Sequence, residues 1–182
     1  NHGHECLQLI HGNIEEGFAQ SDIIIEHSFS TPPQKCAPIE PHRFIAKPDA
    51  SGKVTVIGCT QCPHNHQEQA SKILQVSLNK LRFIAPAIGG GFGQKNGLSL
   101  EPYVALMAMK TGRPVKWSLN TAEDFGYSTT RMPIYSTVKL GAKSDGTLMA
   151  IDRTHICNTG ACGTTGVIIS GKCTYLGSGA YR

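Results

Sequence analysis

Leu81 to Lys110 reads LRFIAPAIGGGFGQKNGLSLEPYVALMAMK, an apolar strand-like run, a glycine cluster and a helix-like run in direct succession. Gly89, Gly90, Gly91 and Gly93 accept backbone angles that a side chain forbids, and none of them shields its amide. Successive open amides at the entrance to a helix favour anions and oxygen-rich groups, through hydrogen bonds and the partial positive charge of the helix end. Phe92 is the exception inside the cluster. It can fill a pocket or wall off a reactive centre while its main chain stays close to a ligand. Two familiar readings fail on spacing. A phosphate-binding loop needs Ser or Thr after its lysine, and Lys95 is followed by Asn96. A dinucleotide GxGxxG begun at Gly91 and Gly93 needs glycine at position 96 and meets the same asparagine. A tight strand-to-helix connection remains open as the plainer alternative.

The flanks extend this core. Asn13 is placed to cap a short helix, with Glu16 reaching back and Ile14 and Phe18 on one face. Residues 1–11 read as a linker or edge segment. Ile23 to Phe29 is β-rich, and Phe44 to Lys47 with Lys53 to Ile57 flank a PDASG turn. Pro63 opens a helix through Gln75, with Ala70, Ile73 and Leu74 as its apolar side. After the glycines, Ser99 is placed to cap a helix that is apolar almost all round and is expected to be buried on most sides. Gly112 and Pro114 stop it, and Val115 to Leu119 returns as a strand. Ser136 to Ala142 and Thr147 to Cys157 form a second hairpin turning at Ser144-Asp145-Gly146. The order β-β-α-β-α-β predicts an α+β fold, a mixed β-sheet covered by two helices, over residues 12–130. Residues 131–182 read as the start of a second repeat, cut short.

With 182 residues and 40% hydrophobic content, the chain can bury one substantial core. The formal charge is +4 and the 17 Lys and Arg are scattered, which argues against nucleic-acid binding. No apolar run approaches the ~20 residues that span a bilayer, and no basic-then-apolar leader opens the chain. Seven unevenly spaced cysteines argue against a disulfide framework and fit a reducing cytoplasm. Cys59, Cys62, His64 and His66 supply thiolate and imidazole from one short segment, yet no second CxxC or HxxxH pair closes a tetrahedral zinc site. CTQC precedes a helix as in redox proteins but lacks the rest of a thioredoxin-like fold. His2, His4 and Cys6 read as part of a disordered end, not as metal ligands.

In order, QKCAPIEPHRFIA (Gln34 to Ala46), VIGCTQCPHNHQEQASKIL (Val56 to Leu74), GGGFG, LEPYVALMAMKTGRPVKW (Leu100 to Trp117) and AEDF (Ala122 to Phe125) resemble the molybdenum-cofactor-binding region of the xanthine dehydrogenase and aldehyde oxidase family. The similarity runs from about Gly12 to Ala161, and GGGFG together with TGRPV is its specific part. The resemblance implies that Gly90, Gly91, Phe92 and Gly93 hold a molybdenum-molybdopterin cofactor, with the cytosine dinucleotide form as one option. It implies that Gln61 and Phe92 are the molybdenum-proximal residues, Gln61 donating to an oxo group without adding charge. Asn96 falls where xanthine-oxidising members carry a substrate-orienting glutamate. An amide cannot share a proton as a carboxylate does, though it can both donate and accept. Xanthine is therefore disfavoured, and a carboxylated, carbonyl or N-heteroaromatic substrate fits as well. Cys36 departs from the histidine more usual in the family's QxHxxxEP segment. Glu40 reads either as a buried partner of the glycine turn or as a structural carboxylate capping a turn.

A hydroxylase of this kind inserts water-derived oxygen at a carbon beside nitrogen or oxygen, and the cofactor carries the hard chemistry. The resemblance implies that the remaining molybdenum-binding region, with an AFRG-type segment and a late catalytic glutamate, lies beyond Arg182. Iron-sulfur clusters and FAD are expected on other domains or subunits, and the isolated chain is expected to be inactive. Two competing readings are a non-enzymatic phosphate- or nucleotide-binding module and a degenerate assembly subunit.

Overall fold

The structure, a computed structural model, describes residues 7–160, 166–177 and 179. In chain order its elements are α1 (Ile14–Ala19), β1 (Ile23–Thr31), β2 (Arg43–Pro48), β3 (Val54–Gly58), α2 (Pro63–Leu74), a 3-10 turn (Leu78–Lys80), β4 (Leu81–Ile84), α3 (Glu101–Thr111), β5 (Val115–Ser118), α4 (Thr121–Tyr127), β6 (Ile134–Ala142), β7 (Leu148–Cys157) and α5 (Gly166–Leu176). The chain divides into two compact units, residues 35–131 and the residues on either side of them. A sequence cut at 130/131 assigns α1 and β1 to the first unit, whereas here β1 pairs with β6 in the β1-β6-β7 sheet and α1 belongs to the same unit. Residues 7–11 form neither helix nor strand. His2, His4, Cys6 and most of the closing GSGAYR lie outside the described residues.

The unit of residues 35–131 is a four-stranded mixed sheet in the order β4-β3-β2-β5, with the expected β-β-α-β-α-β sequence of elements. The Asp49 carboxylate accepts from the Ser51 and Lys53 amides at 2.8 and 3.0 Å, which tightens the turn between β2 and β3 into an antiparallel hairpin. β4 pairs parallel to β3, so the chain needs the crossover that α2 supplies. Alternation sends Phe44 and Ala46 of β2 and Val54 and Val56 of β3 to one face. There they close a core with Ala70, Leu81, Val104, Ala105 and Ala108. Each large side chain buried this way contributes about 2 kcal/mol.

Two expectations for α3 need correction. Burial on most sides fails: Val104, Ala105 and Ala108 are buried, but Tyr103, Leu106 and Met107 are exposed. The sheet covers one face and α2 meets the first turn through His66 and Glu101, which leaves the rest uncovered within this unit. Ser99 does not cap by accepting; its amide and hydroxyl donate to the Glu101 carboxylate at 2.7 and 3.0 Å. At the other end Gly112, at φ 63°, donates to Ala108 and ends the helix as the sequence indicated.

In the other unit Asn13 caps α1, its side-chain oxygen accepting from the Glu15 and Glu16 amides at 3.2 and 3.3 Å. The Glu16 carboxylate turns to Gln20 instead of the cap, accepting from its side-chain Nε2 at 3.1 Å. The second hairpin pairs β6 with β7, and β1 adds to the far side of β6 in antiparallel register. At Gly141 a side chain would meet Ser21 Oγ at 2.3 Å, so glycine lets α1 reach that sheet. The helices α4 and α5 were not read from the sequence.

Close packing also fixes the end of β3. A Cβ at Gly58 would sit 2.2 Å from Phe44 Cδ1 and 2.4 Å from the Arg43 oxygen. Gly58→Ala is therefore expected to lower stability by about 2 kcal/mol, measured as a shift in urea midpoint at constant slope.

Candidate functional site

Residues 88–96 join β4 to α3 without regular structure, so neighbouring side chains must satisfy their backbone groups. Glu40, just before β2, supplies the first clamp. Its carboxylate accepts from the Gly89 amide at 2.7 Å and from Lys95 Nζ at 3.2 Å, while its own amide donates to the Gly89 oxygen at 3.3 Å. Burial pushes the Glu40 carboxyl up, but the Gly89 amide, the Lys95 ammonium and the Arg43 guanidinium together hold it below the usual carboxylate range. Of the two readings of Glu40, the partner of the glycine turn is the one realised. Lys95 is fully buried, an ammonium that the sequence did not single out.

Gln61 supplies the second clamp. It follows β3 directly, and its side-chain oxygen accepts from the Gly93 and Lys95 amides at 3.1 and 3.2 Å. Its own amide donates to the Lys95 oxygen at 3.0 Å. A Cβ at Gly91 would lie 2.4 Å from that same Gln61 oxygen, so the carboxamide fills the space a side chain at 91 would need. The third clamp comes from α2. His66 Nε2 bonds the Asn96 oxygen at 2.8 Å and Nδ1 bonds the Glu101 carboxylate at 2.6 Å. Thr60 Oγ1 also reaches Nδ1, at 2.8 Å. Both ring nitrogens face acceptors, which favours the imidazolium. Burial works against that charge, but the bonds to Glu101 and Asn96 outweigh it and raise the His66 pKa above its ordinary value.

The loop does not leave all its amides open, as its glycine content suggested. Those of Gly89, Gly93 and Lys95 are bonded to side chains, and those of Gln94 and Asn96 to the Gly91 and Gly93 oxygens. The amides of Gly90, Gly91 and Phe92 make no hydrogen bond among the described residues. Gly90 at φ 94° and Phe92 at φ 53° both adopt left-handed angles, a turn that makes neighbouring amides converge. Nor does the loop lead straight into a helix. α3 begins at Glu101, and that residue's own carboxylate sits in the first turn. The anion preference therefore rests on the three free amides, not on a helix end.

Six of the nine backbone oxygens of residues 88–96 are used, while those of Ile88, Gly90 and Gln94 and the buried Gln94 Oε1 accept no hydrogen bond among the described residues. The oxygens of Gly89, Gly91, Gly93, Lys95 and Asn96 accept from groups already named, and the Phe92 oxygen accepts from Cys36 Sγ at 3.3 Å. Phe92 itself is 63% exposed and stands out from this lattice. The structure thus places Gly90, Gly91, Phe92, Gly93 and Asn96 on one loop and brings Gln61 against it from the β3–α2 connection. The sequence missed His42, Gln94 and Asp124. Asp124, in the AEDF motif on α4, bonds His42 Nδ1 at 2.5 Å and Gln94 Nε2 at 3.1 Å, all three buried. This ties α4 and the start of β2 to the loop. The signal available was a cluster of polar residues beside apolar runs, which does not say who pairs with whom. Among the described residues no group of three or more His, Cys, Asp or Glu is arranged to hold a metal ion; Cys59 Sγ accepts from the Arg43 amide at 3.1 Å, and burial pushes its thiol up.

A model of the family described as Molybdopterin cofactor-binding domain matches residues 1–182. One probable xanthine dehydrogenase component from Bacillus subtilis (strain 168) is 32% identical over 185 aligned residues, covering 98% of this chain and 25% of that protein. The nicotinate dehydrogenase large molybdopterin subunit of Eubacterium barkeri is 32% identical over 178 residues, covering 98% of this chain and 42% of that protein. Among solved structures, the aldehyde oxidoreductase from Desulfovibrio gigas superposes with a TM-score of 0.77 at 30% identity, covering 87% of this chain and 17% of that one. The chain thus spans less than half the length of each of these relatives.

The buried pair His66 and Glu101 predicts a pH dependence. Because folding raises the pKa of His66 above its ordinary 6.5, its contribution is complete below about pH 6.5 and is lost as pH rises through the raised value. Thermal unfolding at constant ionic strength should show this decline in the native chain and not in His66→Gln. Glu101→Ala, which leaves the imidazolium buried and unpaired, is expected to cost on the order of 3 kcal/mol.

Proposed function

Since the chain belongs to the molybdopterin cofactor-binding domain family, we propose that residues 88–96 with Gln61 are the surface on which the cofactor rests. One observation carries this reading: the loop keeps a run of consecutive backbone donors for a ligand. The amides of Gly90, Gly91 and Phe92 are free, and Gln61, with its oxygen taken by two amides, has only its side-chain N–H2 left to offer. An oxygen-rich, anionic group fits such a surface.

Bound there, the molybdenum centre supplies oxygen transfer from water and takes up the electrons. The chain's own part is to bind and to orient. Gln61 and the Phe92 main chain are the molybdenum-proximal groups, and the exposed Phe92 ring screens one side from water. Asn96 lines the substrate side. The activity is that of a molybdenum hydroxylase acting on an aldehyde or N-heteroaromatic substrate, in accord with the aldehyde and nicotinate in the names of two relatives, and its place is the cytoplasm. The base, the iron-sulfur clusters and the flavin belong to parts of the enzyme outside these residues. Within the described residues no helix is long and apolar enough to cross a membrane.

Gly91→Ala tests the cradle, because its Cβ would meet the Gln61 carboxamide oxygen and carbon at 2.4 and 2.5 Å. In the assembled enzyme it is expected to remove most of the bound molybdenum and pterin, measured by metal analysis and by fluorescence of the oxidised pterin. Gly126→Ala, where a Cβ meets nothing within 4 Å, serves as the control and should retain both. Full molybdenum in Gly91→Ala would refute the assignment.

A further inference from the structure

We propose that Cys62 is a positioning residue that turns the Asn96 carboxamide so that its N–H2 faces the ligand, which selects substrates bearing a hydrogen-bond acceptor at that point: a carboxylate, a carbonyl oxygen or an unprotonated ring nitrogen. This rests on the cofactor reading above, which puts Asn96 on the substrate side.

Asn96 is held at every polar atom but one. Its amide donates to the Gly93 oxygen at 3.2 Å, its main-chain oxygen accepts from His66 at 2.8 Å, and its side-chain oxygen accepts from Cys62 Sγ at 3.6 Å. Nδ2 makes no hydrogen bond among the described residues. It points toward the glycine loop, 4.0 Å from where a Cβ of Gly93 would stand. The opposite orientation would put the oxygen beside Gly93, whose amide is already committed to Gln61, and would leave that oxygen without a donor. It would also set an N–H against sulfur, a weaker acceptor than oxygen is.

The backbone that carries Asn96 cannot follow a ligand easily. His66, 1% exposed, anchors its oxygen, and His66 is itself fixed by the fully buried Glu101 and by Thr60. Cys62, first residue before α2, takes its place from the Thr60 hydroxyl, which accepts from the Cys62 amide at 3.1 Å. The side-chain torsion of Asn96 is the remaining freedom, and the Cys62 thiol sets it. Asn96 and Gln61 then share one design: in both, the carboxamide oxygen is consumed inside the protein and the N–H2 is left outward.

The test uses the assembled molybdenum enzyme with two non-reacting aromatic probes, benzoate as acceptor and benzylamine, protonated at neutral pH, as donor. Dissociation constants are measured by calorimetry, and molybdenum content is measured in parallel. Asn96→Asp, which offers acceptors only, is expected to weaken benzoate more than ~10-fold relative to benzylamine. Cys62→Ala frees the amide to rotate and is expected to narrow the benzoate preference about 5-fold, whereas Cys62→Ser keeps a donor and should hold it within about 2-fold. With molybdenum retained throughout, an unchanged preference in Cys62→Ala overturns the proposal. Loss of molybdenum in Cys62→Ala but not in Cys62→Ser would assign the residue to the fold and overturns it equally. A wild-type assembly without molybdenum would instead sink the cofactor reading, and this inference with it.

Discussion

The helices α2 and α3 of residues 35–131 are joined by one buried charge pair, His66 with Glu101, and the irregular loop between β4 and α3 depends on it. Each partner is held by further bonds, the imidazole Nδ1 by Thr60 Oγ1 as well. The carboxylate also receives the Ser99 amide and hydroxyl, and the imidazolium spends its second proton on the Asn96 oxygen. A charge pair this deeply buried adds little net stability over an apolar replacement, because desolvation offsets the attraction. Its effect is geometric: it fixes where the loop ends relative to the helix that follows, which an apolar contact would do less sharply.

The same economy runs through the rest of the loop. A stretch rich in glycine loses much conformational freedom on ordering, and side chains from Glu40, Gln61 and His66 compensate by accepting from or donating to its backbone. Each clamp comes from a different part of the sheet and helix framework: the approach to β2, the exit of β3 and the body of α2. On the proposed reading, the surface that meets the cofactor is what this internal bonding leaves over: the amides of Gly90, Gly91 and Phe92 and the Gln61 N–H2. Its donor character is a result of subtraction, more than of any single group placed to meet a ligand.

Much of the framework was legible because it rests on local chemistry. Alternation in β2 and β3, the Asp49 turn, the Pro63 helix start and the Gly112 stop are all encoded within a few residues of where they act. The glycine loop announced itself by composition, and Gln61 and Asn96 by resemblance. Two kinds of feature were not legible. The share of α3 left exposed depends on how much of its circumference the sheet covers, which no helical period states. The partners of His66, Lys95 and Asp124 lie 35, 55 and 82 residues away in the chain, so spacing carries no trace of them. The placement of β1 beside β6 failed to show for the same reason, since the strand pattern reveals a sheet but not its neighbour.

The contact between Gly91 and Gln61 has an implication for how such a chain can change over generations. With the carboxamide occupying the volume above the glycine, positions 91 and 61 form an epistatic pair. A methyl group gained at 91 is tolerable only alongside a shorter residue at 61, and that shorter residue abandons the Gly93 and Lys95 amides. Divergence at either position is thereby constrained from both sides, and relatives that break one half of the pair must have found a different acceptor for those two amides.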